Sequence, residues 1–308
     1  MRPFSLIIQA PAKINYALRI LGVRKDNYCE LRSLLLKTTL HDEVRVSFSR
    51  SSKMRVSLHC NIDPHYSDWV LSSLLPKQED NLAYRAAVLF LQKCHLDAEV
   101  EIGIVKRIPI GGGLGGGSSD AAAVLLALQQ LFEYPLSEAQ LLALSLELGS
   151  DLPAFLHRGH LLVMGRGERT EPLSLQKGGF LGTPFADSGR DPGSWSKGEI
   201  PLVLHYPGFP ISTAEIYDAY KKAASLTGVG AGDNYDRDKT RVQNDLEPLI
   251  VSRYPELSAI KKSLGEFGAN AVGITGTGSS VFALFESLAQ ANAAAEATNS
   301  RCFALLPD

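Results

Sequence analysis

The chain is expected to fold as an α+β protein of two domains, and three stretches carry that expectation. Ala98-Glu99-Val100-Glu101-Ile102-Gly103-Ile104-Val105 alternates like a half-buried strand and runs through a glycine-rich loop into the helix-forming segment Ala121–Leu128. Val44–Phe48 and Met54–Leu58 alternate on either side of a polar turn and predict a hairpin. Val272–Phe285 reads as strand, glycine turn, strand, and an alanine-rich helix follows over Leu288–Thr298. Helices and strands alternate while the hairpins segregate, which is the α+β pattern. The 308 residues are enough for two cores, with domains expected at 1–165 and 166–308.

Taken in order, Ser5–Ala10 predicts a strand leading into a second over Pro11–Ile20. The apolar face of the second is Tyr16, Leu18 and Ile20, so Lys13 and Asn15 fall opposite, where a lysine is ordinarily solvated. Gly22–Tyr28 is a turn, and Leu31–Leu40 is apolar. Residues 61–79 are loop-like before Asp80-Asn81 opens a helix through Cys94. Ser137-Glu138-Ala139-Gln140 is a capping box for a helix that stops at Gly149. Asp151, in Ser150-Asp151-Leu152-Pro153, is expected to serve that turn. Residues 176–199 predict a long surface loop, Pro201–Tyr206 a strand, and Ser212–Glu215 the cap of a helix through Ala224. Thr227–Lys239 is loop, Asn244 begins a helix, Pro255–Phe267 forms another closed by Gly268, and Cys302–Leu306 is the last strand.

Composition removes several classes of function. With 45% hydrophobic and 21% charged residues the chain is ordinary globular material. A net charge of -2 gives no bulk basic field, so neither nucleic acid nor an anionic membrane is an expected partner. Cys29, Cys60, Cys94 and Cys302 show no C-x-x-C spacing, and His157 and His160 have no accompanying ligand set. Reduced thiols in a soluble, cytoplasmic protein without a cysteine metal site are expected. Phe4–Ile8 is too short for a signal-peptide core.

The densest signal is Pro109-Ile110-Gly111-Gly112-Gly113-Leu114-Gly115-Gly116-Gly117-Ser118-Ser119-Asp120, with six glycines in seven positions. Glycine costs backbone entropy and packs nothing, so such density points to close approach of the main chain to a bulky anion. A glycine loop entering a helix aims free N–H groups and the positive end of the helix dipole at one spot. Gly111-x-Gly113-x-x-Gly116 satisfies the dinucleotide fingerprint only literally: Glu133, near the right distance, sits in a helix-ending Phe-Glu-Tyr-Pro segment. A phosphate loop of the Gly-Lys-Ser/Thr kind is excluded because Gly117 is followed directly by Ser118.

The pattern Pro-x-Gly-x-Gly-Leu-Gly-x-Gly-Ser-Ser-x-Ala instead resembles the phosphate loop of the GHMP kinases, which phosphorylate small-molecule hydroxyl groups with ATP. Pro11-Ala12-Lys13-Ile14-Asn15 with Gly22-x-Arg24-x-Asp26-x-Tyr28 is similar to the first motif of the 4-diphosphocytidyl-2-C-methyl-D-erythritol kinase family. Gly273-x-Thr275-Gly276-Thr277-Gly278 is similar to its third, and Gln243-Asn244-Asp245-Leu246-Glu247 also fits. The resemblance implies a ribosomal-protein-S5-like ATP domain followed by a ferredoxin-like α/β domain. It also implies transfer of a phosphoryl group from ATP, with Mg²⁺, to the 2-hydroxyl of a cytidine diphosphate-linked methylerythritol in the non-mevalonate route to isoprenoid precursors. Asp151 would be the general base with Lys13 beside it. Asn81, Leu82 and Lys106 would meet the adenosine, and Pro109, Gly111, Gly112, Gly113, Leu114, Gly115, Gly116, Gly117, Ser118 and Ser119 the phosphates, one of the serines near Mg²⁺. Asn15, Tyr28, Cys29, Thr275, Gly276, Thr277 and Gly278 would meet the acceptor, with Tyr28 stacked on cytosine. Cys29 departs from the histidine common in the family, so either another residue reads cytosine or selectivity is relaxed. The alternatives are a sibling kinase for mevalonate, homoserine or a sugar, and a nucleotide-binding regulator without catalysis.

Overall fold

The computed structural model describes residues 4–173, 200–227 and 242–307. The loops expected at 176–199 and over most of Thr227–Lys239 lie outside the described residues. Two compact units are interleaved along the chain: residues 1–12, 40–110 and 115–158 form one, and residues 13–39, 111–114 and 159–308 the other. Strands β1 (Phe4–Val23) and β2 (Cys29–Arg50) contribute to both. The two strands expected on either side of Pro11 are therefore one continuous strand.

The first unit adds β3 (Arg55–Ile62), α1 (Leu82–Cys94), β4 (Ala98–Lys106), α2 (Gly116–Leu131), α3 (Glu138–Leu148) and α4 (Leu152–Leu156). The hairpin expected between 44–48 and 54–58 does not form. β4 lies between those strands, antiparallel to β2 from Glu43↔Val105 to Arg50↔Ala98 and parallel to β3 from Arg55↔Glu99 to Ile62↔Lys106. β4, with Ala98, Val100, Ile102, Ile104 and Lys106 all buried, takes the inner position, and the half-buried β3 takes the sheet edge. α1 starts at the cap Asn81, whose side chain accepts the Ala83 N–H at 2.9 Å, a bond that stabilises a helix by about 1 kcal/mol. Its Ala83, Ala86, Ala87, Phe90 and Leu91 form one apolar stripe against the core that α2 crosses. The expected capping box is present at Ser137 and Gln140.

The second unit pairs β5 (His160–Gly165) with β2 and with β6 (Arg169–Leu173), all antiparallel. A separate antiparallel sheet has the order β11-β7-β10-β9, built from β7 (Pro201–His205), β9 (Ala271–Ile274), β10 (Val281–Leu284) and β11 (Arg301–Ala304). The strand–glycine–strand reading of 272–285 is the β9–β10 pair, in register from Val281↔Ile274 to Leu284↔Ala271. Helices α5 (Thr213–Thr227), α6 (Glu247–Arg253), α7 (Glu256–Glu266) and α8 (Leu288–Ala297) supply much of its core, with Ile216, Ile250, Leu257 and Leu264 inside. The helix expected from Asn244 begins at Glu247, because Asn244 sits in the two-residue strand β8 (Gln243–Asn244) beside Ala17 and Leu18 of β1. Among the described residues no helix is long and apolar enough to cross a membrane.

Candidate active site

In the first unit the functional candidates gather where β4 ends and α2 begins. α2 starts at Gly116, not after the glycine run, so Gly116, Gly117, Ser118 and Ser119 are its first turn. Gly115 caps it in the left-handed conformation, φ 73°, which a side chain would resist, and no side chain caps the helix. The first intrahelical bond runs from the Ser119 N–H to the Gly115 carbonyl at 2.9 Å, so the preceding N–H groups have no helical partner. The Ser119 hydroxyl is buried and has no hydrogen-bond partner. A buried orphan hydroxyl beside amides without helical partners at a positive helix end suits an anion with its cation. ATP phosphates and Mg²⁺ therefore fit the residues present, although no cluster of His, Cys, Asp or Glu able to hold a metal occurs among the described residues.

Lys106, assigned by resemblance to the adenosine end, is fully occupied inside the protein. Its ammonium donates to Asp42 Oδ2 at 2.5 Å and to Asp120 Oδ2 at 2.7 Å, and all three side chains are buried. Asp42 Oδ1 also accepts the N–H groups of Arg107 and Ile108. Burial alone would lower the Lys106 ammonium, but Asp120 and Asp42 outweigh it and hold its pKa above the ordinary lysine value. Burial, with the like charge of Asp42, lifts the Asp120 carboxyl against the pull of Lys106. This triad fixes the base of α2: a Cβ on Gly116 would lie 3.3 Å from Lys106 Nζ and 2.9 Å from Ile108. Nothing local in the sequence pointed to it, since Asp42 is separated by 64 residues from its lysine.

Asp151 lies in the expected turn, closed by the Leu152 N–H to the Gly149 carbonyl at 3.3 Å, and is the cap residue of the five-residue α4, exposed and with no side-chain cap bond. His160 is not available as a ligand: its Nδ1 accepts the Lys37 N–H at 3.0 Å, which leaves Nε2 to donate to the Leu306 carbonyl at 2.8 Å.

In the second unit Lys13 and Asn15 are buried, not solvated. Lys13 Nζ donates to Asn15 Oδ1, the Asn15 N–H to Thr275 Oγ1 at 3.0 Å, and Thr275 Oγ1 to the Gly113 carbonyl at 3.1 Å. Asn15 Nδ2 donates to Ser33 Oγ at 2.7 Å, and the Lys13 N–H to the Leu114 carbonyl at 3.0 Å. Asn244, buried, donates to the carbonyls of Ile274 and Gly276 at 2.9 and 2.7 Å and so holds the β9–β10 turn. That turn carries Thr275–Gly278, and the Gly113 segment lies against it. A Cβ at Gly113 would fall 2.3 Å from the Thr275 carbonyl oxygen and 2.7 Å from that of Gly278, and one at Gly111 2.4 Å from Pro210. At these positions the close approach that glycine permits is made by the chain itself. Of the acceptor-side candidates, Thr277 bonds Thr213 at 3.1 Å, Tyr28 is half-exposed, and Cys29 is buried with its thiol pKa raised by burial.

The glycine-opened helix end in one unit and the buried lysine–asparagine–threonine cluster in the other carry the motifs that resemble those of GHMP kinases, and the family models place the chain in that class. Residues 81–159 match the GHMP kinases N terminal domain and residues 216–304 the GHMP kinases C terminal domain. A 4-diphosphocytidyl-2-C-methyl-D-erythritol kinase of Citrifermentans bemidjiense is 34% identical over 96% of this chain and 95% of its own. A crystal structure of a 4-(cytidine 5'-diphospho)-2C-methyl-D-erythritol kinase matches with a TM-score of 0.69 at 31% identity, covering 98% of this chain and all of that one (100%). The crystal structure of L. major mevalonate kinase in complex with R-mevalonate shares the fold at 15% identity, TM-score 0.65, over 99% of this chain and 97% of its own. The chain belongs to the 4-diphosphocytidyl-2-C-methyl-D-erythritol kinase family.

Proposed function

We propose that this kinase transfers the terminal phosphoryl group of ATP to the 2-hydroxyl of 4-diphosphocytidyl-2-C-methyl-D-erythritol, in the non-mevalonate supply of isoprenoid precursors in the cytoplasm. The observation that carries the ATP half is the uncapped start of α2, with its left-handed Gly115 and the unpartnered Ser119 hydroxyl. Family membership carries the acceptor half.

Phosphoryl transfer is positioning and charge stabilisation. The N–H groups at the start of α2 hold the phosphates, and Lys106, Asp42 and Asp120 keep that helix end in place. Ser118 or Ser119 would hold Mg²⁺, which would supply neutralisation of the phosphate charge. Asn81 and Leu82, at the start of α1, border the adenosine. Asp151, exposed at the start of α4, takes the hydroxyl proton. Lys13, oriented by Asn15, offsets the charge developing on the transferred group. Thr275–Gly278 closes over the phosphates or the acceptor, and the half-exposed Tyr28 takes the base. In this reading 1–165 is the ATP side and 166–308 the acceptor side.

The test is an ATP-consumption assay with the cytidylated methylerythritol, mevalonate, homoserine and a sugar panel. Turnover confined to the cytidylated alcohol is expected; turnover of one of the others in its place would overturn the assignment.

A further inference from the structure

Tyr28 and Cys29 are adjacent and have opposite surroundings. The turn that presents them is closed by the Arg24 N–H to the Tyr28 carbonyl at 2.8 Å and the Asn27 N–H to the Arg24 carbonyl at 3.0 Å, with Asn27 left-handed at φ 65°. Tyr28 emerges 48% exposed, whereas Cys29 is 6% exposed and packs in the core with Leu18, Ile20 and Ile216. The thiol at the position where the family commonly has histidine therefore faces protein. Whatever reads the pyrimidine comes from elsewhere.

Three arginines gather around this turn, and two are neutralised. Arg24 meets Asp26 at 3.2 Å, Glu30 at 3.1 Å and Glu168 at 3.2 Å, and Arg169 meets Glu30 at 2.6 Å. Lys221, reaching over from α5, is held by Asp218 at 2.7 Å and the Asn27 carbonyl at 3.3 Å. Arg166 is different. Its guanidinium carbon lies 5.0 Å from the centroid of the Tyr28 ring, and among the described residues it has no carboxylate partner. Its backbone is fixed, because its N–H donates to Glu168 Oε2 at 2.6 Å in the β5–β6 turn. That turn is tight: a Cβ on Gly165 would fall 2.4 Å from the Glu168 carboxylate. The result is a planar cation with several N–H donors and, among the described residues, no carboxylate partner, poised on a half-exposed aromatic ring.

We infer that Arg166 is a specificity-determining residue for the nucleotide end of the acceptor, donating to the adjacent O2 and N3 acceptors of cytosine beside the Tyr28 ring. The inference deepens the proposed function and rests on the acceptor being cytidylated. A guanidinium presents two parallel N–H groups to two adjacent acceptors. Uracil carries a hydrogen on N3, so the same fork meets a donor there and one bond becomes a clash. An ammonium has no such planar pair, so lysine does not replace arginine here.

The experiment uses the full chain at saturating ATP, with the cytidylated acceptor, its uridylated analogue, and CMP and UMP as competitors. Wild type is expected to prefer the cytidylated acceptor about 100-fold or more in kcat/KM, and CMP to compete better than UMP. Arg166→Ala and Arg166→Lys are expected to raise the acceptor KM about 10-fold and collapse both preferences, with the KM for ATP and the melting temperature unmoved. Unchanged base preference in both variants would overturn the inference while leaving the kinase assignment intact. So would a rise in the ATP KM in step with the acceptor KM, which marks a structural role. No turnover of the cytidylated acceptor by wild type would overturn the assignment and the inference together.

Discussion

Gly113 and Gly117 lie four positions apart in one glycine run, and glycine is there for different reasons. At Gly113 φ is +73° and the space a Cβ would need is taken by the carbonyl oxygens of Thr275 and Gly278. At Gly117 the backbone is helical and a Cβ would meet only Leu82 Cδ1 at an ordinary 3.8 Å. The first glycine lets the chain approach itself; the second faces outward on the first turn of α2, where a phosphate is bound in our reading. A glycine-rich run is therefore not one site but a packing seam followed by a ligand-facing end, and substitutions should sort accordingly into losses of stability and losses of activity.

The largest effect is expected on the ligand-facing side. Asp151→Asn should cut turnover by about 10²- to 10⁴-fold, with ATP affinity and melting temperature close to wild type. Steady-state kinetics with calorimetric ATP binding measure this, and unchanged turnover would remove Asp151 from the chemistry. The next tests the scaffold behind that end. Lys106→Met leaves Asp42 and Asp120 buried without their cation and should cost about 3–5 kcal/mol of stability in denaturant unfolding. A variant as stable as wild type would mean the triad does not hold α2 in place.

The smallest expected effect lies away from the glycine run and should move stability alone. Burial lowers the Lys37 ammonium to about 8 from 10.5. Between those values the unfolded chain holds a proton that the folded chain does not, so this lysine's contribution to stability climbs as pH rises through that window. Lys37→Met should accordingly stabilise by about 1–3 kcal/mol at pH 7, a gain that fades by pH 10.5. A pH-independent difference between the two proteins would contradict that cause.

Much of this was legible because it is local. The Asn81 cap, the Ser137–Gln140 box, the alternation of β4 and the glycine turn between β9 and β10 each depend on residues a few positions apart. The insertion of β4 between β2 and β3 was not legible, because alternation fixes the buried face of a strand and leaves its neighbour open. Nor was the burial of Lys13: the pattern placed it opposite Tyr16, but the cover over that face comes from Thr275, distant in sequence. The same separation hid the reason for Gly113, and it hid Asn244, whose amide secures the carbonyls of Ile274 and Gly276. Arg166 was passed over because its meaning lies in what its neighbours lack: Arg24 and Arg169 take the nearby carboxylates, and Cys29 points inward.

The most direct test compares Gly113→Ala with Gly117→Ala, measuring melting temperature and the dissociation constant of a non-hydrolysable ATP analogue for each. The left-handed strain and the overlap with two carbonyl oxygens should cost Gly113→Ala about 2–5 kcal/mol of stability. Gly117→Ala, in a helical position that favours alanine, should melt at or above wild type and bind the analogue about 10-fold more weakly or worse. Wild-type affinity in Gly117→Ala, or wild-type stability in Gly113→Ala, would contradict the division of the run into a packing seam and a phosphate-binding end.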